Sequence, residues 1–166
     1  MPGWSRAHVI AHVARNADAL GNLLTWARMG ASEVRLPAGD GKEAFVDAED
    51  IAEVAVAALT EAGHAGWHYE LSGPRLMTFG DAVAEIARAT GRDVRYVPLT
   101  PEAYADEQRA RGVPEEWVRT STGLYEYVRS GGLATLSDGV QRALGRTPRD
   151  FVDCAKSAAS AGAWNS

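Results

Sequence analysis

"EVRLPAGDGKEAFVDAEDIAEVAVAALTEAG", residues 33–63, decides the fold class. Its first half reads as two short extended stretches around a turn at Gly39 to Gly41. Asp47 then caps a helix that carries Asp50 at its third position and ends at Gly63. The same alternation continues downstream. "WHYEL" reads as a short strand, and "SGPRLM" as a loop. Thr78 caps "FGDAVAEIARATG", which stops at Gly91, and "VRYVPL" is a further strand bounded by Pro98. Thr100 with Pro101 opens another helix, because proline suits the first helical position. "VPEEWVRTSTGLYEYVRSGG" is a helix begun at Pro114 and stopped at Gly131 and Gly132. Ser137 caps "DGVQRALG", and Thr147 with Pro148 opens the last helix, "RDFVDCAKSAASAG". Strands alternating with helices after residue 34 signal an α/β architecture. The expected fold is a partial Rossmann-like sheet of about four short strands with several helices. An N-terminal amphipathic helix is added to it.

That added helix speaks a different language. Ser5 can cap it, Gly30 stops it, and Val9, Val13, Leu20, Leu23, Leu24 and Ala27 fall near a 3.6-residue period. Its polar stripe holds His8, His12 and Asn16 at spacing i, i+4, i+8. Two imidazoles four apart can hold one metal ion, but a catalytic zinc needs at least three protein ligands. The remaining histidines are His64 and His68, placed in a turn and on a strand. A structural or merely polar role for the pair competes with metal binding, zinc being the natural candidate.

Composition narrows the classes. The chain has 166 residues, 46% hydrophobic and 23% charged, with a net charge of −5. That length suggests one domain able to bury roughly 68–70% of its unfolded surface. The acidic balance argues against nucleic acid as a partner, and no apolar run reaches the roughly 20 residues of a membrane helix. Met1 to Gly30 mixes Arg, His, Asn and Asp, unlike a secretory signal. A single cysteine, Cys154, fits a reducing cytoplasm and reads as a packed residue.

Several chemistries fail on the residues. "GDGKEA", Gly39 to Ala44, has the letters of a dinucleotide loop, yet the mechanism requires a following helix. Here "FVD" follows and reads as extended, so a hairpin turn explains both glycines. A short-chain dehydrogenase places a tyrosine four residues before a lysine. The only lysines are Lys42 and Lys156, preceded at that distance by Ala38 and Val152. No G-x-S-x-G elbow appears. Asp47 stands where a strand meets a helix, often the active edge of an α/β sheet, although capping is the better explanation. Helix capping and solvation account for Glu49, Asp50 and Glu53. Tyr96, Tyr104, Trp117, Tyr125 and Tyr127 cluster in the later half, where Tyr104, Trp117 and Tyr125 could line an apolar pocket with polar tips.

From about Val34 to Ala159 the chain resembles the C-terminal half of the NmrA-like, NAD(P)-binding atypical short-chain dehydrogenases. The stretch from "LPAGDGKEAFVD" through "GRDVRYVPLTPE", with "LSDGVQRALGRTPRDFVDCA", carries this resemblance. It implies the last strands of a Rossmann sheet and a substrate-side helical lobe. The Gly-rich first unit that binds the cofactor in that family is expected upstream of such a half. Residues 1–30, "PGWSRAHVIAHVARNADALGNLLTWAR", resemble instead a helix of mycothiol-dependent maleylpyruvate isomerases, which are DinB-like metalloenzymes. In that family the position of His12 is a metal ligand. The chain thus divides into a DinB-like helix, residues 1–30, and a truncated NmrA-like domain, residues 31–166, as in a chimera.

The functional expectation that follows is a small-molecule-binding remnant of an NmrA-like domain, without the parental oxidoreductase activity and without a cofactor. The alternatives are a hydrolase-type, metal-dependent enzyme with a rebuilt site at His8, His12, Asp47 or His68, and an assembly protein. Half of a doubly wound sheet has an open edge, so a homodimer is expected.

Overall fold

The computed structural model describes residues 32–163. The expected N-terminal helix, with His8 and His12, lies outside the described residues. Four short strands and six helices follow one another within them: β1 (Glu33–Leu36), β2 (Lys42–Glu43), α1 (Ala48–Thr60), β3 (Met77–Thr78), α2 (Phe79–Thr90), β4 (Arg95–Pro98), α3 (Pro101–Ala110), α4 (Glu115–Arg129), α5 (Gly139–Leu144) and α6 (Phe151–Ser160). The expected α/β class is therefore present.

The strands pair differently from a hairpin reading. β1 and β4 form a parallel ladder with Glu33 opposite Arg95 and Leu36 opposite Pro98. β2 and β3 form an antiparallel ladder with Lys42 opposite Thr78 and Glu43 opposite Met77. The Gly39–Gly41 turn is real, closed by Gly41 N–H donating to the Ala38 carbonyl at 3.0 Å. It sends the chain from one ladder into the other. The Glu33 carboxylate clamps both Arg35 and Arg95 across the parallel pair, at 3.1 and 2.6 Å.

Local chemistry sets most helix ends. Asp47 accepts from Glu49 N–H at 2.7 Å. Thr78 and Asp81 make a reciprocal capping box, which satisfies two otherwise orphaned N–H groups. Thr100 caps α3 with Pro101 at its first position. Two expected caps fail. The Ser137 hydroxyl donates to the Glu70 carbonyl at 2.6 Å, so α5 begins at Gly139 after Asp138 and without a side-chain cap. α6 begins only at Phe151, because Asp150 and not Thr147 is the cap, accepting from Val152 N–H at 2.9 Å. "WHYEL" forms no strand. Trp67 and Tyr69 instead flank the Arg142 guanidinium, 4.9 and 5.6 Å from its carbon. The strand β3 is instead Met77–Thr78, at the end of a stretch that reads as loop.

The core joins both ladders. Val34 and Leu36 from β1, Met77, and Phe79, Ala82, Val83 and Ile86 from α2 are buried with Val128, Phe151 and Ala155. Phe45 contacts Phe79 edge-on at 5.2 Å and Phe151 at 5.4 Å between ring centres. Gly73 lets the backbone approach this centre. A Cβ there would lie 2.0 Å from the Phe45 carbonyl oxygen.

A second, ionic centre ties α1 to the segment before α6. Asp50 is fully buried. It accepts from Arg146 Nη2 at 2.7 Å, from Arg149 N–H at 2.8 Å and from the Arg149 guanidinium. Glu53 binds the outer face of Arg149 at 2.6 Å. Solvation does not account for these carboxylates: they hold two arginines.

Candidate functional site

β1 and β4 run parallel, so their carboxyl ends share one edge, the side on which open α/β sheets hold ligands. β1 leaves that edge through Pro37–Gly41, and β4 leaves it toward α3. The turn is held from two sides. Tyr96 on β4 donates its hydroxyl toward the Leu36 and Gly39 carbonyls at 3.3 and 3.4 Å. Arg129, the last residue of α4, donates to the Pro37 carbonyl at 3.4 Å. Gly41 permits the closure, since a Cβ there would lie 2.6 Å from the Val128 carbonyl oxygen.

An aromatic wall rises beside this turn. Tyr104 from α3 and Tyr125 from α4 meet edge-on at 5.5 Å, and Tyr125 meets Phe79 at 6.0 Å. Glu43, on β2, is near enough to Tyr125 to act on its phenol electrostatically. Residues two apart in an extended stretch share a face, so Glu43 lies on the side of Phe45, whose ring contacts Phe79.

Burial shifts the titration of the group toward the neutral forms. Burial raises the Glu43 carboxyl above the ordinary carboxylate range. Burial, then the neighbouring Tyr104, Glu43 and Tyr96, push the Tyr125 phenol well above its usual value. Tyr96 is raised too, chiefly by burial and against its backbone hydrogen bonds. A phenol or carboxyl that stays protonated offers an O–H to a ligand oxygen or nitrogen.

The sequence-derived candidates divide. Tyr104 and Tyr125 come together here. Trp117 does not join them and is 67% exposed on α4. Asp47 is the buried N-cap of α1 and neighbours the Cys154 thiol, which burial and then that carboxylate push up to about 12. The thiol is therefore held in its unreactive form. His68 is exposed, and His64 is bound to the Tyr69 hydroxyl at 2.9 Å. Among the described residues no group of three or more His, Cys, Asp or Glu could hold a metal ion, and no helix is long and apolar enough to cross a membrane. Sequence reasoning passed over Glu43. The signal was its alternation with Phe45, a charge in register with a core aromatic.

"GDGKEA" leads into β2 and not into a helix, so no helix N-terminus faces the glycines and they do not cradle a pyrophosphate.

No family model matches the chain. Comparison with curated proteins finds an NAD(P)H azoreductase of Xenophilus azovorans, 37% identical over 142 residues that cover 84% of this chain and 50% of the relative. A (4-alkanoyl-5-oxo-2,5-dihydrofuran-3-yl)methyl phosphate reductase of Streptomyces griseus is 36% identical, covering 81% and 48%. Among solved structures, an NADPH-dependent quinone oxidoreductase from Escherichia coli superposes with a TM-score of 0.69 at 26% identity, over 82% of this chain and 50% of that one. A Citrobacter triphenylmethane reductase bound to NADP(H) shares the fold with a TM-score of 0.66 at 24% identity, over 81% and 47%. The chain spans about half the length of these relatives. These findings overturn two expectations. These relatives are named as reductases or oxidoreductases, the azoreductase and the quinone oxidoreductase with NAD(P)H or NADPH in their names, which contradicts a remnant stripped of oxidoreductase activity and contradicts a hydrolase. The NAD(P)H that the azoreductase is named for likewise contradicts the expectation of no cofactor or of a divalent metal. The comparisons give no support to a DinB-like helix at residues 1–30 or to a chimera.

Proposed function

We propose that this chain, a homologue of NAD(P)H-dependent reductases with the NmrA-like NAD(P)-binding fold, forms the substrate side of such a reductase and acts on a planar conjugated acceptor such as a quinone or azo compound. The observation that carries the reading is the Tyr104–Tyr125 pair, 5.5 Å apart, at the carboxyl edge of the β1–β4 ladder. Among the described residues the Gly39–Gly41 turn offers no pyrophosphate cradle, because it leads into β2. The bound cofactor would supply hydride.

The described residues do the rest. Tyr125, partly buried against the core residue Tyr104, would offer an aromatic face for a flat acceptor to stack on, which would exclude water from one face of the acceptor. Tyr96 and Arg129 fix the turn that rims the surface. The protonated phenol of Tyr125 donates toward the acceptor's oxygen or nitrogen. A homodimer completes the reading. It is supported by the open edges of a two-stranded ladder and by Trp117, Leu124 and Tyr127, all exposed on α4.

The test is oxidation of NADPH followed at its absorbance with a quinone and with an azo dye as acceptors. Tyr125→Ala should raise KM about tenfold and Tyr125→Phe much less, because stacking survives in the second. Absence of NADPH oxidation with either acceptor would sink the reading.

A further inference from the structure

α4 is apolar on two sides. Its inner side puts Val118 and Val128 into the molecule, where both are almost fully buried. A helix covered on one side ordinarily turns a polar face to water. Here Trp117, Leu124 and Tyr127 stand on the outer side, 67, 47 and 54% exposed. With exposed Thr120 they fall at i, i+3, i+7 and i+10, the spacing of a coiled-coil seam. Such a stripe looks in one direction along the helix and is covered by a second helix laid against it.

The stripe is dry and set in place. The Thr120 hydroxyl donates to the Glu116 carbonyl at 2.9 Å and the Ser121 hydroxyl to the Trp117 carbonyl at 2.8 Å, so neither is left seeking a partner. Gly132 makes room for the Tyr127 ring, since a Cβ there would lie 2.2 Å from Tyr127 Cε2. The ring thus rests on the chain that follows the helix and is fixed before any partner arrives. Gly123, beside Leu124, has nothing within 4 Å of a Cβ built on it, so a second backbone can come close there.

The stripe is also complementary to itself. Lay a second α4 antiparallel about a two-fold axis at residue 122, an isologous pairing. Trp117 then faces Tyr127 of the second copy, and Thr120 faces Leu124. Charge agrees with this direction. Arg119 and Glu126 make no ion pair among the described residues, and Glu115, four residues before Arg119, is bound by Arg109 at 2.9 Å. The two-fold sets Arg119 beside Glu126 of the second copy, twice, across the gap left by Gly123. A parallel pairing would set like charges together at both positions, which is unfavourable.

We infer that the outer face of α4 is the surface on which a second copy of this chain docks, α4 against antiparallel α4. One helix pair lies at the small end of specific interfaces, below about 1,200 Å² in total, so the dimer is weak and concentration-dependent. The inference deepens the homodimer of the reductase reading by naming its surface. Its tests need no activity, so either can fail alone.

Sedimentation velocity of the full chain reads the dissociation constant. Arg119→Glu should raise it about fivefold, and so should Glu126→Arg. The double exchange Arg119→Glu/Glu126→Arg should return it to within about twofold of wild type, a recovery that misfolding cannot imitate. Thr120→Cys/Leu124→Cys should oxidise to a covalent dimer, while each single variant stays at the wild-type background set by Cys154. Indifference to Arg119→Glu, no recovery in the double exchange, or cross-linking of the single variants as fast as the double overturns the proposal. So does a chain that stays monomeric throughout, whatever its activity. An absence of NADPH oxidation removes the reductase reading and leaves this interface standing.

Discussion

Asp50 shows how much one side chain can organise. It is an acid with no exposure at all, yet every oxygen it presents has a donor. Removing one member of a buried ionic group leaves the others uncompensated, at a cost of about 3–5 kcal/mol. Asp50→Ala should therefore lower the unfolding free energy by about 3 kcal/mol, read from the urea midpoint, since its arginines are themselves about a third exposed. Glu53→Gln, on the outer and exposed face of the same arginines, should cost less than about 1 kcal/mol. Asp150 supplies the pH dependence. Arg75, donating at 2.7 and 3.0 Å, holds the Asp150 carboxyl below its ordinary range. A carboxyl depressed on folding adds stability above its unfolded pKa, and that stability is lost as pH falls through the lower folded value. Urea midpoints of the wild type should therefore drop below about pH 4, and Arg75→Ala should drop less over the same range.

Among the elements, α2 is the most fully specified by its own residues. The Thr78–Asp81 box starts it and Gly91, at φ 68°, ends it. Thr78→Ala should cost about 1 kcal/mol, measurable by the same unfolding series. These caps, with Asp47 and Thr100, were legible because they depend on residues two or three apart. The strands were not. Leu36 and Lys42 flank one turn, but their partners are Pro98 and Thr78, chosen by packing far along the chain. Ser137 and Thr147 imitate caps in the sequence and fail in the fold. Ser137 is taken by the Glu70 carbonyl, and the stretch after Thr147 is drawn onto Asp50 through Arg149. Tyr104 and Tyr125 could be read as pocket residues because both are aromatic with polar tips. Trp117 looked the same and sits on the outer surface of α4, since helical spacing without a known neighbour does not say which face is covered. Glu43 was easily passed over because part of its shielding comes from far along the chain, where α4 packs against β2.

For the whole molecule, the ladder of β1 and β4 has two strands, and each has one edge unpaired among the described residues. Exposed edges invite another strand. Sedimentation velocity should show a weight-average mass that rises toward a dimer with micromolar concentration. Trp117→Glu should shift that rise to higher concentration, because it places a charge on the exposed face of α4. A mass that stays monomeric across the range removes the homodimer.

The Asp50 cluster also has a kinetic meaning. Its hydrogen bond to Arg149 N–H joins positions 99 apart in sequence. Contacts across so long a loop are rewarded only after the intervening chain has condensed. The cluster should thus form after the rate-limiting barrier. Weakening it should leave the refolding rate nearly unchanged and accelerate unfolding, so that Asp50→Ala moves one arm of the chevron plot and not the other. Seen this way the buried acid sets a lifetime: it decides how long the folded chain stays closed, not how quickly it gets there.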